Sequence, residues 1–209
     1  MKIRLHEIHP SLTHYPLVLL PTALGLDIAG NLLDNEQLTR AARLVTPIAA
    51  TAAGVTAATG LIAEQEVRGD DEAYAMLDTH RNINLSAVAV SSAMCIYRLR
   101  RPRPGWGYLS LGIGLMGAVS YSAYLGGRMV YGKGLGVESA DGVRHEEAPT
   151  VGVDNLGEVL RTAGRQFLKG LRQLVERPFS HLEIAPEAQQ LQRSIDAEHD
   201  GPGPVPEGP

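Results

Sequence analysis

The sequence predicts an all-α, integral membrane four-helix bundle followed by a polar C-terminal tail with one amphipathic helix. Three observations carry this. Residues 14–132 hold four long apolar stretches, whereas residues 138–209 are polar and charged and turn Pro/Gly-rich toward the end. The second and fourth stretches are apolar or small at nearly every position, without the charged face that a soluble bundle helix keeps. Arginines crowd two of the links between stretches, as they do in cytoplasmic loops. Whole-chain averages conceal the division: a mean hydropathy of -0.06 and a net charge of -4 are those of an ordinary soluble protein. The domains are therefore 1–137, a four-span helical domain, and 138–209, a tail.

The first span is expected at Leu12–Leu33, close to the ~20 residues that cross a bilayer core. Pro10 suits the first helical position, and Pro16 and Pro21 each remove a backbone bond and kink the helix. The second span, Ala41–Ala63, carries Ala50, Gly54 and Ala58 as a small-residue ridge for helix contact. The third, Asn82–Tyr97, is the shortest and most polar. The fourth, Trp106–Val130, has Gly112, Gly114 and Gly117 in its first half.

Arg98, Arg100, Arg101 and Arg103 fill the link between spans three and four, and Arg40 and Arg43 flank the first link. The link between spans two and three is acidic. This charge pattern places both basic loops in the cytoplasm and both termini outside, in a multi-pass protein of the bacterial inner (plasma) membrane. No cleavable signal peptide is expected.

In the tail, Leu156, Val159, Leu160, Ala163, Phe167, Leu171 and Leu174 recur at helical spacing, so an amphipathic helix is expected over about 154–177. Asp154 or Asn155 suits its cap, and Pro178 lies past its end. Arg161, Arg165, Lys169 and Arg172 lie largely off the apolar stripe. Such a helix suits the membrane surface, or else packing on the protein's own bundle or on a partner subunit. Residues 201–209 are expected to be disordered.

Alternation of the spans brings one set of polar residues to one face: His9, His14 and Tyr15; Glu64 and Glu66; His80, Arg81 and Asn84; and Gly126, Gly127, Arg128 and Met129. Histidines at the mouths of membrane helices point to haem or a metal. A b-type haem needs axial imidazoles, a slot lined by small residues, and cations for its propionates. His14 and His80 are the expected axial ligands, His9 a supporting partner, and Asn84 shares a helix face with His80. Gly126 and Gly127 suit the slot, and Arg81 and Arg128 the propionates. Met129 is a weak ligand candidate. His9 and His14 are five positions apart, about 140° around a helix, so a straight helix does not aim both at one iron. A single transition-metal ion held by His14 and His80, with His9 and Glu64 or Glu66, is the alternative. His6, His145, His181 and His199 carry no such signal. Asp27 lies mid-span, where a carboxylate is costly; a neighbouring Thr or Asn, or a proton, would relieve it.

Several classes are excluded. The lone Cys95 builds no disulfide framework and no cysteine-based cluster. Phosphate loops, nucleophile elbows and His-Glu-x-x-His are absent from the sequence, and no basic-aromatic clustering supports nucleic-acid binding.

The run His9-Pro10-x-x-x-His14-Tyr15-Pro16-Leu17, His80 with Asn84, and Gly126-Gly127-Arg128-Met129-Val130-Tyr131-Gly132-x-Gly134-x-Gly136-Val137 resemble an uncharacterised bacterial family of four-span membrane proteins. Its patterns are HPxxVHFPIxL and GGxLVYxHGxGV, and the resemblance covers residues 6–137. Some relatives in that family are fused to Rieske-type domains, which implies electron transfer. Tyr15 departs from the usual Phe, and Lys133 stands where the family pattern has a histidine.

The expected function is a membrane-embedded, b-type haem-binding redox protein. It would be an electron carrier rather than a substrate-converting enzyme, in contact with lipid and with a redox partner protein or quinone. The alternative is a non-enzymatic membrane protein, binding a small metal or serving as a structural or assembly partner, whose histidines only bond between helices. A homo-oligomer is compatible with either. A quinone- or proton-handling role for Asp27 is a third reading.

Overall fold

A computed structural model describes residues 3–143, 150–151 and 156–176. Four long helices follow one another: α1 (Leu5–Leu32), α2 (Glu36–Ala63), α3 (Asp71–Arg100) and α4 (Trp106–Gly127). A π-helical turn, Arg128–Gly132, extends α4, and α5 (Leu156–Glu176) comes from the tail. Strands β1 (Ile3–Arg4) and β2 (Thr150–Val151) pair antiparallel, which returns the tail to the start of α1. Among the described residues, three helical stretches are long and apolar enough to cross a membrane: Ile8–Leu32, Glu36–Ala63 and Trp106–Gly132. α3 is not one of them. The expected caps Asp154 and Asn155, and Pro178, His145, His181, His199 and the expected disorder at 201–209, lie outside the described residues.

Three helices begin earlier than the apolar pattern predicts, α2 by five residues, at Glu36. α1 starts at Leu5, directly after β1, so Pro10 lies inside the helix rather than at its first position. α3 starts eleven residues before Asn82, within the acidic stretch that reads as a loop. The Asp70 side chain caps it by accepting the Ala73 N–H at 2.7 Å. Asp71 and Glu72 then fall in the first turn, where negative charge meets the positive end of the helix dipole. α2 is capped in the same way by Asn35, which accepts from Gln37 and Leu38.

Proline sets the seam between α1 and α2. Pro16 has no N–H, so the Leu12 carbonyl loses its helical partner. The Thr56 hydroxyl from α2 donates to that carbonyl at 3.1 Å. A missing backbone bond inside one helix thus becomes a bond between two, as an apolar surrounding demands.

Asp27 and Arg98 close the other end of the bundle. Both side chains are fully buried. Arg98 Nε donates to Asp27 Oδ2 at 2.9 Å and Nη2 to Oδ1 at 2.8 Å, a two-pronged pair. Two further guanidinium N–H groups reach the Thr39 carbonyl at 2.8 Å and the Arg101 carbonyl at 2.6 Å. Tyr108 of α4 packs in the apolar cluster beside the pair. All four helices, or the links beside them, meet at this pair. Beneath it, Leu24, Ala87, Met94, Tyr108, Leu109 and Leu115 form an apolar cluster.

Arg103 pairs with Asp34 at 2.6 Å, so two of the four arginines in the basic link hold helix ends together. At the opposite end, the segment after α4 folds over the bundle. Gly134 and Gly136 take left-handed backbone (φ +67° and +76°), which reverses the chain. Val143 then bridges to Val67. Leu135 joins Val67, Met76 and Met129 in a second cluster.

Removing one half of a buried pair leaves an uncompensated charge, at a cost of roughly 3–5 kcal/mol. Asp27→Asn should therefore destabilise the detergent-solubilised protein by about that amount in chemical unfolding. Asp27→Leu combined with Arg98→Met should recover most of the loss. An Asp27→Asn protein as stable as the wild type would contradict this role.

Candidate functional site

His9 leaves α1 toward α2. Its Nδ1 donates to the Thr56 carbonyl at 3.2 Å, with the Thr59 hydroxyl at 3.4 Å. Its ring lies against Gly60. A Cβ placed there would stand 2.8 Å from His9 Cε1, so glycine makes this approach possible.

His80 leaves α3 toward α4. Its Nδ1 donates to the Ser122 carbonyl at 2.9 Å. Its Nε2 accepts from the Asn84 amide at 2.9 Å, and the Ser122 hydroxyl donates to Asn84 Oδ1 at 3.0 Å. The ring also rests near Gly126, where a Cβ would come to 3.4 Å.

Both imidazoles therefore make the same arrangement. Each commits Nδ1–H to a backbone carbonyl on a neighbouring helix, which leaves Nε2 as the basic nitrogen. Ligating histidines are commonly held this way. The two rings also share space. A cavity of about 180 Å³ and a second of about 80 Å³ are each lined by His9, Ala57, His80 and Asn84. The larger opens toward Glu64, Arg81 and Met129; the smaller reaches down to Leu20 and Val119.

Helix geometry explains why these histidines converge. His9 precedes Asp27 by eighteen residues, and His80 precedes Arg98 by eighteen. Eighteen residues are about five full turns, or ~27 Å. The faces of α1 and α3 that bury the ion pair at one end thus bury the histidines at the other. His14, thirteen residues before Asp27, lies roughly 140° off that face.

The expected residues divide accordingly. His9, His80, Asn84, Arg81 and Gly126 are brought together around the larger cavity. His14 is not: it is exposed, and its Nδ1 bonds only the Ser11 carbonyl one turn back, at 3.3 Å. Gly127 has open space where a side chain would be, and half-buried Arg128 lines neither cavity. Of His6 the structure describes the backbone alone. Among the described residues, no group of three or more His, Cys, Asp and Glu side chains could hold a metal ion, so His9, His14, His80, Glu64 and Glu66 do not form one cage. Met129, the weak ligand candidate, is buried at the cavity wall by the π-helical turn.

Sequence reasoning missed three groups. Thr56 and Ser122 anchor the histidines through backbone carbonyls, which no residue identity announces. Arg98 could have been found, because its spacing from His80 repeats that of Asp27 from His9.

The cavity mouth is charged and paired. Arg81 bonds Glu64 at 2.5 Å and Asp78 at 2.8 Å. Burial pushes the Glu64 carboxyl above its ordinary range, and Arg81 opposes that shift. Lys133 bonds Asp70 at 3.2 Å and also Glu72, tying the end of α4 to the start of α3.

A family model described as "Predicted membrane protein (DUF2231)" matches residues 5–139. No curated protein and no solved structure matches the chain.

The Asp70 cap titrates. Its bond from the Ala73 N–H, and then Lys133, hold its carboxyl below the ordinary 3.8. A depressed acid stabilises the fold above its ordinary value and loses that contribution as pH falls through the folded-state value. Amides in the first turn of α3 should therefore lose hydrogen-exchange protection below about pH 4, while those near Arg98 keep theirs. Asp70→Asn should remove the pH dependence. Equal dependence in wild type and variant would refute the assignment.

Proposed function

The chain belongs to the DUF2231 family of predicted membrane proteins, and we propose that it is a b-type haem-binding electron-transfer protein in which His9 and His80 would hold the haem. One observation carries this reading. Two imidazoles from different helices line shared cavities, each with Nδ1–H held by a backbone carbonyl. Haem, when bound, would supply one-electron transfer without chemistry on a substrate.

The donor set fits such a group. Ala57, Gly60 and Gly126 give the walls small residues. Arg81 lies at the mouth, where a propionate would compete with Glu64 for the guanidinium. The Asn84 amide must turn away from His80 Nε2, while His80 keeps its Ser122 carbonyl bond. The cavities are smaller than the ~300–1,000 Å³ of ordinary ligand pockets. Loading therefore requires side chains at the α1/α2 and α3/α4 seams to part. His14, exposed on the far side of α1, is left out of this reading.

Four crossings accompany the proposal. α3 would span beside α2 and α4, its acidic first half projecting beyond the bilayer with Glu64 and Asp70. The arginine link would lie in the cytoplasm, with both termini and the histidine end outside, in the inner membrane. A redox partner protein or a quinone would exchange electrons at that end.

A second reading has its own support. His80, Asn84 and Ser122 form a closed triangle in which each polar group is satisfied. The histidines would then be interhelical staples in a structural or assembly protein. Absorption spectroscopy on protein purified from haem-replete cells separates the two. The haem reading expects a Soret band that is lost in His9→Ala and in His80→Ala and kept in His14→Ala. A colourless preparation, or a band indifferent to both cavity histidines, would overturn it.

A further inference from the structure

We infer that α5 is an interfacial helix that binds anionic phospholipid headgroups at the histidine end of the bundle. The inference does not depend on haem.

Two faces of α5 lead to it. One face docks on α2 and α3 through Gly170, which is buried. A Cβ at Gly170 would lie 2.9 Å from Leu85 and 3.6 Å from Leu61, so glycine lets the helix lie close against both. The other face is exposed. Glu158, Arg161, Arg165, Leu168, Arg172 and Val175 follow at three- and four-residue steps, one stripe along the helix. Leu168 is 67% and Val175 80% exposed. Three arginines and two bare aliphatic side chains thus share a face whose single acid, among the described residues, is Glu158.

Docking fixes the depth of that face. Leu61 lies one turn before Glu64, where the apolar run of α2 ends. α5 therefore rests at the edge of the hydrocarbon layer. At that boundary, leucine and valine meet acyl chains while arginines reach phosphates, a combination that water alone does not favour. Charge complementarity selects an anionic leaflet over a neutral one.

The full chain in lipid nanodiscs tests this. A nitroxide is attached at Leu168→Cys in a Cys95→Ser background, and its collisions with oxygen and with a water-soluble nickel chelate are compared. Discs of phosphatidylcholine alone are set against discs containing phosphatidylglycerol. The expected result is a severalfold higher oxygen-to-nickel ratio in the anionic discs. High salt or Arg161→Gln with Arg165→Gln should reduce that difference. A label open to the chelate in both discs would overturn the inference. So would shielding that appears equally in detergent and rises with protein concentration, which would mean a second copy covers the face.

Discussion

The Asp27–Arg98 pair sets the register of the bundle. A carboxylate and a guanidinium with no exposure persist only when their bonding capacity is filled. Here the filling comes from the Thr39 and Arg101 carbonyls as well as from each other. These partners fix the heights of α1 and α3 relative to α2 and α4. A one-residue slip of either helix would turn its charge about 100° away from the site.

The same register builds the other end. Because about five turns separate His9 from Asp27 and His80 from Arg98, locking one end points both imidazoles inward at the other. Pro16 reinforces this by opening the Leu12 carbonyl to Thr56, whose own carbonyl holds His9. Gly60 then lets the ring rest on α2. Charge, missing backbone donor and missing side chain are three separate sequence features, and the fold uses each to place one histidine.

Much of this is legible in the sequence. Apolar run lengths locate the helix cores, since an apolar run of about twenty residues without a charged face suits a bilayer crossing and little else. The α3 boundary is not legible that way, because hydropathy is blind to a polar helix start; the Asp70 cap with Asp71 and Glu72 is the signal that marks it. The convergence of His80, Asn84 and Gly126 follows from helix alternation. The choice between His9 and His14 does not, because depth along the helix favours His14 and only rotation relative to Asp27 selects His9. Arg98 reads as loop charge in a basic link, although a mid-helix aspartate requires a partner and an arginine eighteen residues past His80 supplies it.

The pairing of His9 with His80 is tested most directly by low-temperature electron paramagnetic resonance of the purified, oxidised protein. A low-spin ferric signal of bis-imidazole type is predicted, persisting in His14→Ala and replaced by a high-spin signal in His9→Ala. A low-spin signal that survives His9→Ala but vanishes in His14→Ala, or no haem signal at all, would contradict it.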